Sequence, residues 1–166
     1  MPKTHRQTIY ISPAARDDSR PFLCENLRRK SMKGIKKMWK YFNPNPDGLK
    51  TNDCTVRAIC AVTGLNWYTV HDALCAKSRT MSDMPSTDRV WWALLEDFGY
   101  EQVFLHQRCP DCTTVRDFAL AHPHGLYILA PYEHAVAVVD GDWLDSWDSG
   151  STVPAYYFRR RRNGTV

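Results

Sequence analysis

Residues 134–147 read HAVAVVDGDWLDSW, two apolar segments on either side of Asp140-Gly141. Asp-Gly is typical of a two-residue type I′ turn, whose twist matches that of the strands it joins. The β-branched and aromatic residues of the two segments favour β-strands. The stretch therefore predicts a β-hairpin with strands over 134–139 and 142–147.

The register of this hairpin follows from its turn. A two-residue turn places Val136 opposite Asp145 and His134 opposite Trp147, with all four side chains on one face of the sheet. Asp145 is then diagonal to His134, and a carboxylate there can reach an imidazole ring. A three-residue loop would bring Asp148 to His134 instead. The Asp-Gly sequence favours Asp145.

Upstream of the hairpin the apolar spacing is mainly helical. We expect helices from Cys54 to Gly64, from Asn66 to about residue 77, from Ser86 to Gly99, and a short one from Thr113 or Thr114 to Pro123. Strands are expected over 38–42, 103–105, 126–130 and 156–160. Helices followed by strands predict an α+β fold with N-terminal helices packed on a C-terminal antiparallel sheet.

Cys54 is placed at a reactive position by this pattern. It follows Asn52-Asp53, either of which can cap a helix, so its sulfur lies at the positive end of a helix dipole. That setting lowers the pKa of a thiol, and an imidazolium lowers it further. Cys54 is thus a candidate nucleophile, His134 its base, and Asp145 the group that orients the imidazole.

The strings Asn52-Asp53-Cys54, HAVA from His134 and Asp145-Ser-Trp147 resemble those of the papain-like cysteine peptidases, in the same chain order. The chain also resembles small phage-encoded papain-like proteins over about residues 38–158. The resemblance implies a papain-like fold with the nucleophile on a helix N-terminus, and a thiol protease or related hydrolase with a Cys54–His134–Asp145 catalytic triad. It also implies that Trp147 supports the triad by shielding the contact between His134 and Asp145 from water.

One position departs from the papain-like pattern. These enzymes carry a Gln six residues before the cysteine as an oxyanion-hole donor, and this chain has Gly48 there. An amide donor is still needed beside the Cys54 backbone N–H. Asn52 is the first candidate, with Asn43 and Asn45 behind it.

Arg57 lies one turn after Cys54 on the same helix. It is either a buried cation paired with a carboxylate or a group that faces substrate, and the sequence favours the buried cation.

A second candidate site lies at His106 and Cys109-Pro-Asp-Cys112, with His122 and His124 downstream. Cys-x₂-Cys with histidines is the material of a tetrahedral zinc site. Only one such pair occurs, and the histidines lack finger spacing, so an exposed loop with two thiols is favoured over a zinc site or a redox disulfide. We expect no metal and no cofactor.

Composition limits the class of protein. The 166 residues, 43% hydrophobic with a net charge of +4, suit one globular domain with a tail. We expect a flexible arm over 1–31, which has few apolar anchors, and a domain over 32–166. Half of the 22 basic residues lie in 28–40 and 159–162, but such runs are usually solvated, so we do not expect nucleic-acid binding.

No apolar stretch approaches the ~20 residues needed to cross a bilayer. The polar N-terminus lacks a signal-like apolar segment, so we expect a cytoplasmic protein, in the host cytoplasm if phage-encoded, with reduced thiols.

Three functions fit these residues. The first is a cysteine hydrolase acting on a peptide, isopeptide or related amide of a protein or peptide substrate through a thioester. The second is an acyl or amine transferase, or a deamidase, that uses the same triad. The third is a non-catalytic phage accessory protein that binds a host component, and Gly48 at the expected Gln position favours it. The sequence leaves the oligomeric state open.

Overall fold

The computed structural model describes residues 38–161. The predicted arm over 1–31 and its boundary with the domain lie outside the described residues. The described chain forms four helices, α1 (Cys54–Thr63), α2 (Trp67–Met81), α3 (Asp88–Asp97) and α4 (Val115–Ala121), and six strands, β1 (Trp39–Tyr41), β2 (Tyr100–Phe104), β3 (Leu126–Pro131), β4 (Val136–Val139), β5 (Asp142–Asp145) and β6 (Pro154–Arg160). The predicted α+β class is confirmed.

All six strands belong to one sheet in the order β1-β5-β4-β3-β6-β2. Five of them are joined by antiparallel pairs, but β1 pairs with β5 in parallel, with Trp39 beside Trp143 and Tyr41 beside Asp145. The expected antiparallel sheet is therefore a mixed one. The long connection from β1 through the helices lets this short strand return beside β5 in the same direction.

The hairpin has the predicted register. Val139 opposes Asp142, and the two turn residues Asp140 and Gly141 have φ of 49° and 83°. Two successive left-handed residues define a type I′ turn. The strands are shorter than predicted, since β4 begins at Val136 and β5 ends at Asp145. His134 and Trp147 therefore lie beyond the paired strands, at the same end of the hairpin.

Both faces of the sheet are covered, so the molecule has two cores. On one face, α1, α2 and α3 pack on Ile128, Ala137, Leu144 and Phe158. On the other, α4 packs on alternate residues that include Leu129, Val136, Val138, Trp143 and Tyr157. This explains why β4 is apolar at every position and wholly buried.

Helix boundaries follow the capping residues. Gly64 ends α1 in a left-handed conformation, and the Asn66 side chain accepts a hydrogen bond from the Thr69 N–H at the start of α2. The helix α2 extends to Met81, four residues beyond its predicted end, and stops at Ser82, whose backbone is left-handed. Among residues 38–161 there is no helix with the length and apolar character that crossing a membrane requires.

Candidate active site

Cys54 is the first residue of α1 and is half-buried. Burial by itself raises the pKa of its thiol. The neighbouring ring of His134, the backbone N–H of Ala135 and the cation of Arg57 act in the opposite direction and hold the pKa below its ordinary value. Cys54 thus has the electrostatic setting of a thiolate nucleophile.

His134 lies in the turn between β3 and β4. Its backbone N–H donates to the carbonyl of Pro131 at 3.1 Å, and the preceding Glu133 adopts a left-handed φ of 50°. Such a backbone costs about 1 kcal/mol or more for a residue with a side chain. The turn is therefore shaped to hold the His134 ring where it is, between the helix end of Cys54 and the end of β5.

The ring of His134 donates from Nε2 to Oδ2 of Asp145 at 2.6 Å. Burial lowers the pKa of His134, but the hydrogen bonds and negative charge of Asp145 and Cys54 outweigh burial and raise the pKa to about 9. Because Nε2 is committed to the carboxylate, Nδ1 is the nitrogen that remains for proton exchange with the thiol. A low thiol pKa beside a high imidazole pKa favours the thiolate–imidazolium pair near neutral pH.

Asp145 ends β5 and is 1% exposed. Its Oδ1 accepts from the backbone N–H of Ser146 at 2.7 Å and from Arg57 at 3.3 Å, while Oδ2 accepts from His134. Burial raises the pKa of this carboxyl, and the hydrogen bond and charge of His134 more than reverse that effect, so the pKa lies below its ordinary value. Asp145 is a fixed carboxylate with both oxygens occupied.

The Trp147 indole lies next to the His134 ring. Its ring centroid is 5.3 Å from that of His134, with the two planes at 37°. The side chain is 46% exposed, so one face of the indole covers the imidazole and the rest meets solvent. It also leaves a large aromatic surface at the mouth of the site.

The route by which His134 meets Asp145 differs from the one predicted. Val136 packs against α4, whereas Asp145 reaches Arg57 on the opposite side of the sheet. The predicted common face is therefore wrong for Val136, because His134 precedes β4 and Asp145 is the last residue of β5, where side chains can turn around the sheet end. Asp148 instead accepts from the Trp143 indole at 2.9 Å, away from the triad.

Among the predicted oxyanion donors, the Asn43 amide donates elsewhere, while Asn45 only accepts, through Oδ1, in the bonds of its loop. The side chains of Asn43 and Asn45 bond to backbone groups of their own loop, Asn43 to Leu49 and Asn45 to Asp47 and Leu49. Asn52 is exposed, two residues before the nucleophile. Its place beside the helix end keeps it the candidate donor, together with the Cys54 N–H, which has no acceptor within the helix.

The prediction that Arg57 is a buried cation paired with a carboxylate is confirmed, but sequence reasoning missed that Arg57 bridges two carboxylates. The side chain is 6% exposed and contacts two carboxylates, those of Asp53 and Asp145. The Asp53 carboxylate also accepts from the Trp67 indole at 2.8 Å, and it makes no cap bond to α1. The i, i+4 spacing of Asp53 and Arg57 was the available signal.

A groove of about 460 Å³ runs beside the N-terminus of α1. Its walls come from the loop before α1, the first turns of α1 and α2, and Pro85-Ser86. They include Leu49, Asn52, Thr55, Trp67, Tyr68 and His71. Asp53 and Thr55 line this groove, but Cys54, His134 and Asp145 do not.

The competing cysteine cluster has a different form from the one favoured by the sequence. Cys109 and Cys112 are joined in a disulfide, so the expectation of two reduced thiols in this loop is wrong in this structure. The turn brings their Cα atoms to 4.7 Å, within bridging range. Within residues 38–161 no group of three or more His, Cys, Asp or Glu side chains is arranged to hold a metal ion.

The structure thus brings Cys54, His134, Asp145 and Trp147 to one place, with Asn52 at its edge. These residues come from the start of α1, the turn before β4 and the end of β5. Comparison of the chain with models of known protein families, with curated proteins and with solved structures found no match.

Proposed function

We propose that this protein is a papain-like cysteine hydrolase that cleaves a peptide, isopeptide or related amide bond through a thioester. The observation that carries the proposal is the geometry of His134, bonded through Nε2 to a buried carboxylate at 2.6 Å and close to a thiol with a lowered pKa. Thiol, imidazole and carboxylate in this order of contact are the parts of nucleophilic acyl transfer.

The chemistry divides into two steps. The Cys54 thiolate attacks the carbonyl carbon of the amide, and the resulting oxyanion is stabilised by the Cys54 N–H and the Asn52 side chain. The imidazolium of His134 gives its Nδ1 proton to the leaving nitrogen, the C–N bond breaks, and a thioester remains. Neutral His134 then takes a proton from water, the water oxygen attacks the thioester, and the C–S bond breaks to release the acid and restore the thiolate.

Two neighbours of His134 support this mechanism. Asp145 accepts a hydrogen bond from Nε2–H in both steps, so it fixes the imidazole tautomer and stabilises the imidazolium. Trp147 reduces the access of water to that hydrogen bond.

A peptidyl vinyl sulfone tests the proposal without a known substrate. Its peptide part places an electrophilic carbon where the carbonyl of a substrate amide would lie, and a thiolate nucleophile there forms a covalent bond with it. We expect a covalent adduct on Cys54 in the full chain, located by mass spectrometry of its peptides. The adduct should be absent in Cys54→Ala and strongly reduced in His134→Ala. Equal labelling of Cys54 and Cys75 would contradict the proposal and favour a binding protein built on the same scaffold.

A further inference from the structure

A buried ion-pair cluster lies behind the triad. Arg57 is 6% exposed, Asp53 5% and Asp145 1%. The guanidinium meets Asp53 through Nη1 and Asp145 through Nη2. One cation therefore joins the first turn of α1 to the end of β5, where the triad is assembled.

The contacts of Arg57 fix its guanidinium in place but leave one of its buried N–H groups without an acceptor among the described residues. Besides its two carboxylates, Arg57 donates to the Thr51 carbonyl at 3.3 Å, yet its buried Nε has no acceptor among the described residues. A buried N–H without a partner is destabilising, and a buried ion pair is weak evidence for stability in itself. Stability alone does not account for this cluster.

Asp53 is fixed from the other side. Its second oxygen accepts from the indole of Trp67, which lines the groove. The residue at the N-cap of α1 thus spends its carboxylate on Arg57 and Trp67 instead of on the helix N–H groups. The direction of the contacts runs from Trp67 through Asp53 and Arg57 to Asp145.

We infer that Arg57 and Asp53 are positioning residues of the catalytic triad: Asp53 holds the Arg57 guanidinium against Oδ1 of Asp145, which turns Oδ2 towards His134. The inference rests on the proposed function, since it assigns these residues a role through the triad. It predicts that the pair also sets the electrostatic balance at the thiol.

The charges in the cluster predict how the loss of Arg57 changes the pKa of Cys54. With the thiolate–imidazolium pair formed, the cluster has three anions, at Cys54, Asp53 and Asp145, and two cations, at Arg57 and His134. Removing the Arg57 charge leaves one cation against three anions, which disfavours the thiolate. Removing the Asp53 carboxylate acts through Arg57, because the guanidinium loses the partner that holds it beside Asp145.

The other titratable groups near the cluster do not disturb this balance. Burial raises the pKa of Cys60 to about 12, so it remains a neutral thiol. From α2, the ring of His71 stacks on Trp67 at 4.7 Å, on the groove side. From the sheet, His134 and Asp145 are already members of the triad.

The test is the pH dependence of alkylation of Cys54 by iodoacetamide, read by mass spectrometry in the full chain. In Arg57→Gln we expect the midpoint to rise by about one pH unit, a roughly tenfold slower reaction below the midpoint. Arg57→Lys should show little of this rise, because it keeps the positive charge. Asp53→Asn should raise the midpoint as well, because it releases the Arg57 guanidinium from the partner that holds it against Asp145. Arg89→Gln, which removes an exposed cation paired with Asp83, is the matched control and should leave it unchanged.

A purely structural role would leave the midpoint of a folded variant unchanged. If Arg57→Gln folds and titrates as Arg89→Gln does, the inference is wrong. If Arg57→Gln does not fold, Asp53→Asn decides, and a lowered or unchanged midpoint overturns the inference. The assay needs no substrate, so an ordinary thiol titration in the unaltered protein would instead refute the proposed function.

Discussion

Replacing Cys54 with Ala is expected to abolish amide cleavage. The thiolate forms the bond that defines the thioester route, and no other described group can replace it beside His134. Loss of the nucleophile in triad enzymes costs on the order of 10⁶-fold in turnover. The measurement is hydrolysis of a library of peptide amides with a fluorogenic leaving group, by unaltered and Cys54→Ala protein.

Cys75→Ala provides a matched control. Cys75 is also a half-buried free thiol, and its sulfur lies 3.9 Å from the ring nitrogens of His71. It lies within α2 instead of at a helix start, and its histidine pairs at 3.6 Å with Asp72, an exposed carboxylate unlike the buried Asp145. Activity should survive Cys75→Ala. Equal loss in the two variants would show that the cleavage does not depend on the proposed site.

Replacing Asp145 with Ala is expected to reduce turnover by up to ~10⁴-fold. The His134 ring would lose the acceptor of its Nε2 proton, and with it the tautomer and orientation needed for exchange at Nδ1. The pKa of His134 would also fall from about 9, since Asp145 is a principal cause of the rise. Fluorogenic turnover measures the loss.

Asp148→Ala is the comparison, since Asp148 bonds to Trp143 and lies away from the triad. We expect it to cost far less activity than Asp145→Ala. Because Asp145 also contacts Arg57, both variants need a urea denaturation curve to show that they are folded under assay conditions. A folded Asp145→Ala with nearly full activity would remove Asp145 from the triad.

Much of this arrangement was predictable from short sequence patterns. Asp140-Gly141 specified the turn, and the turn specified the register that brings Asp145 to the His134 end of the hairpin. The left-handed Gly64 ends α1 as predicted, and α1 begins at Cys54 as predicted although Asp53 makes no cap bond. These features are local, and local interactions decide them.

Features that depend on distant parts of the chain were not predictable. The three-residue strand β1 carries too little pattern to reveal its parallel pairing with β5. The contact of Arg57 with Asp145 joins residues 88 positions apart. Asp53 was read as a possible cap, because its partner Trp67 becomes a neighbour only when α2 packs beside α1.

We expect Cys54 to be the first thiol to react. Chain-wide alkylation by a limiting amount of iodoacetamide at about pH 6, followed by peptide mapping of the six cysteines, measures this directly. Cys54 should be modified well ahead of Cys60 and Cys75, and His134→Ala should remove that advantage. If another cysteine reacts faster, or if His134→Ala leaves Cys54 as reactive as before, Cys54 and His134 do not form the proposed catalytic pair.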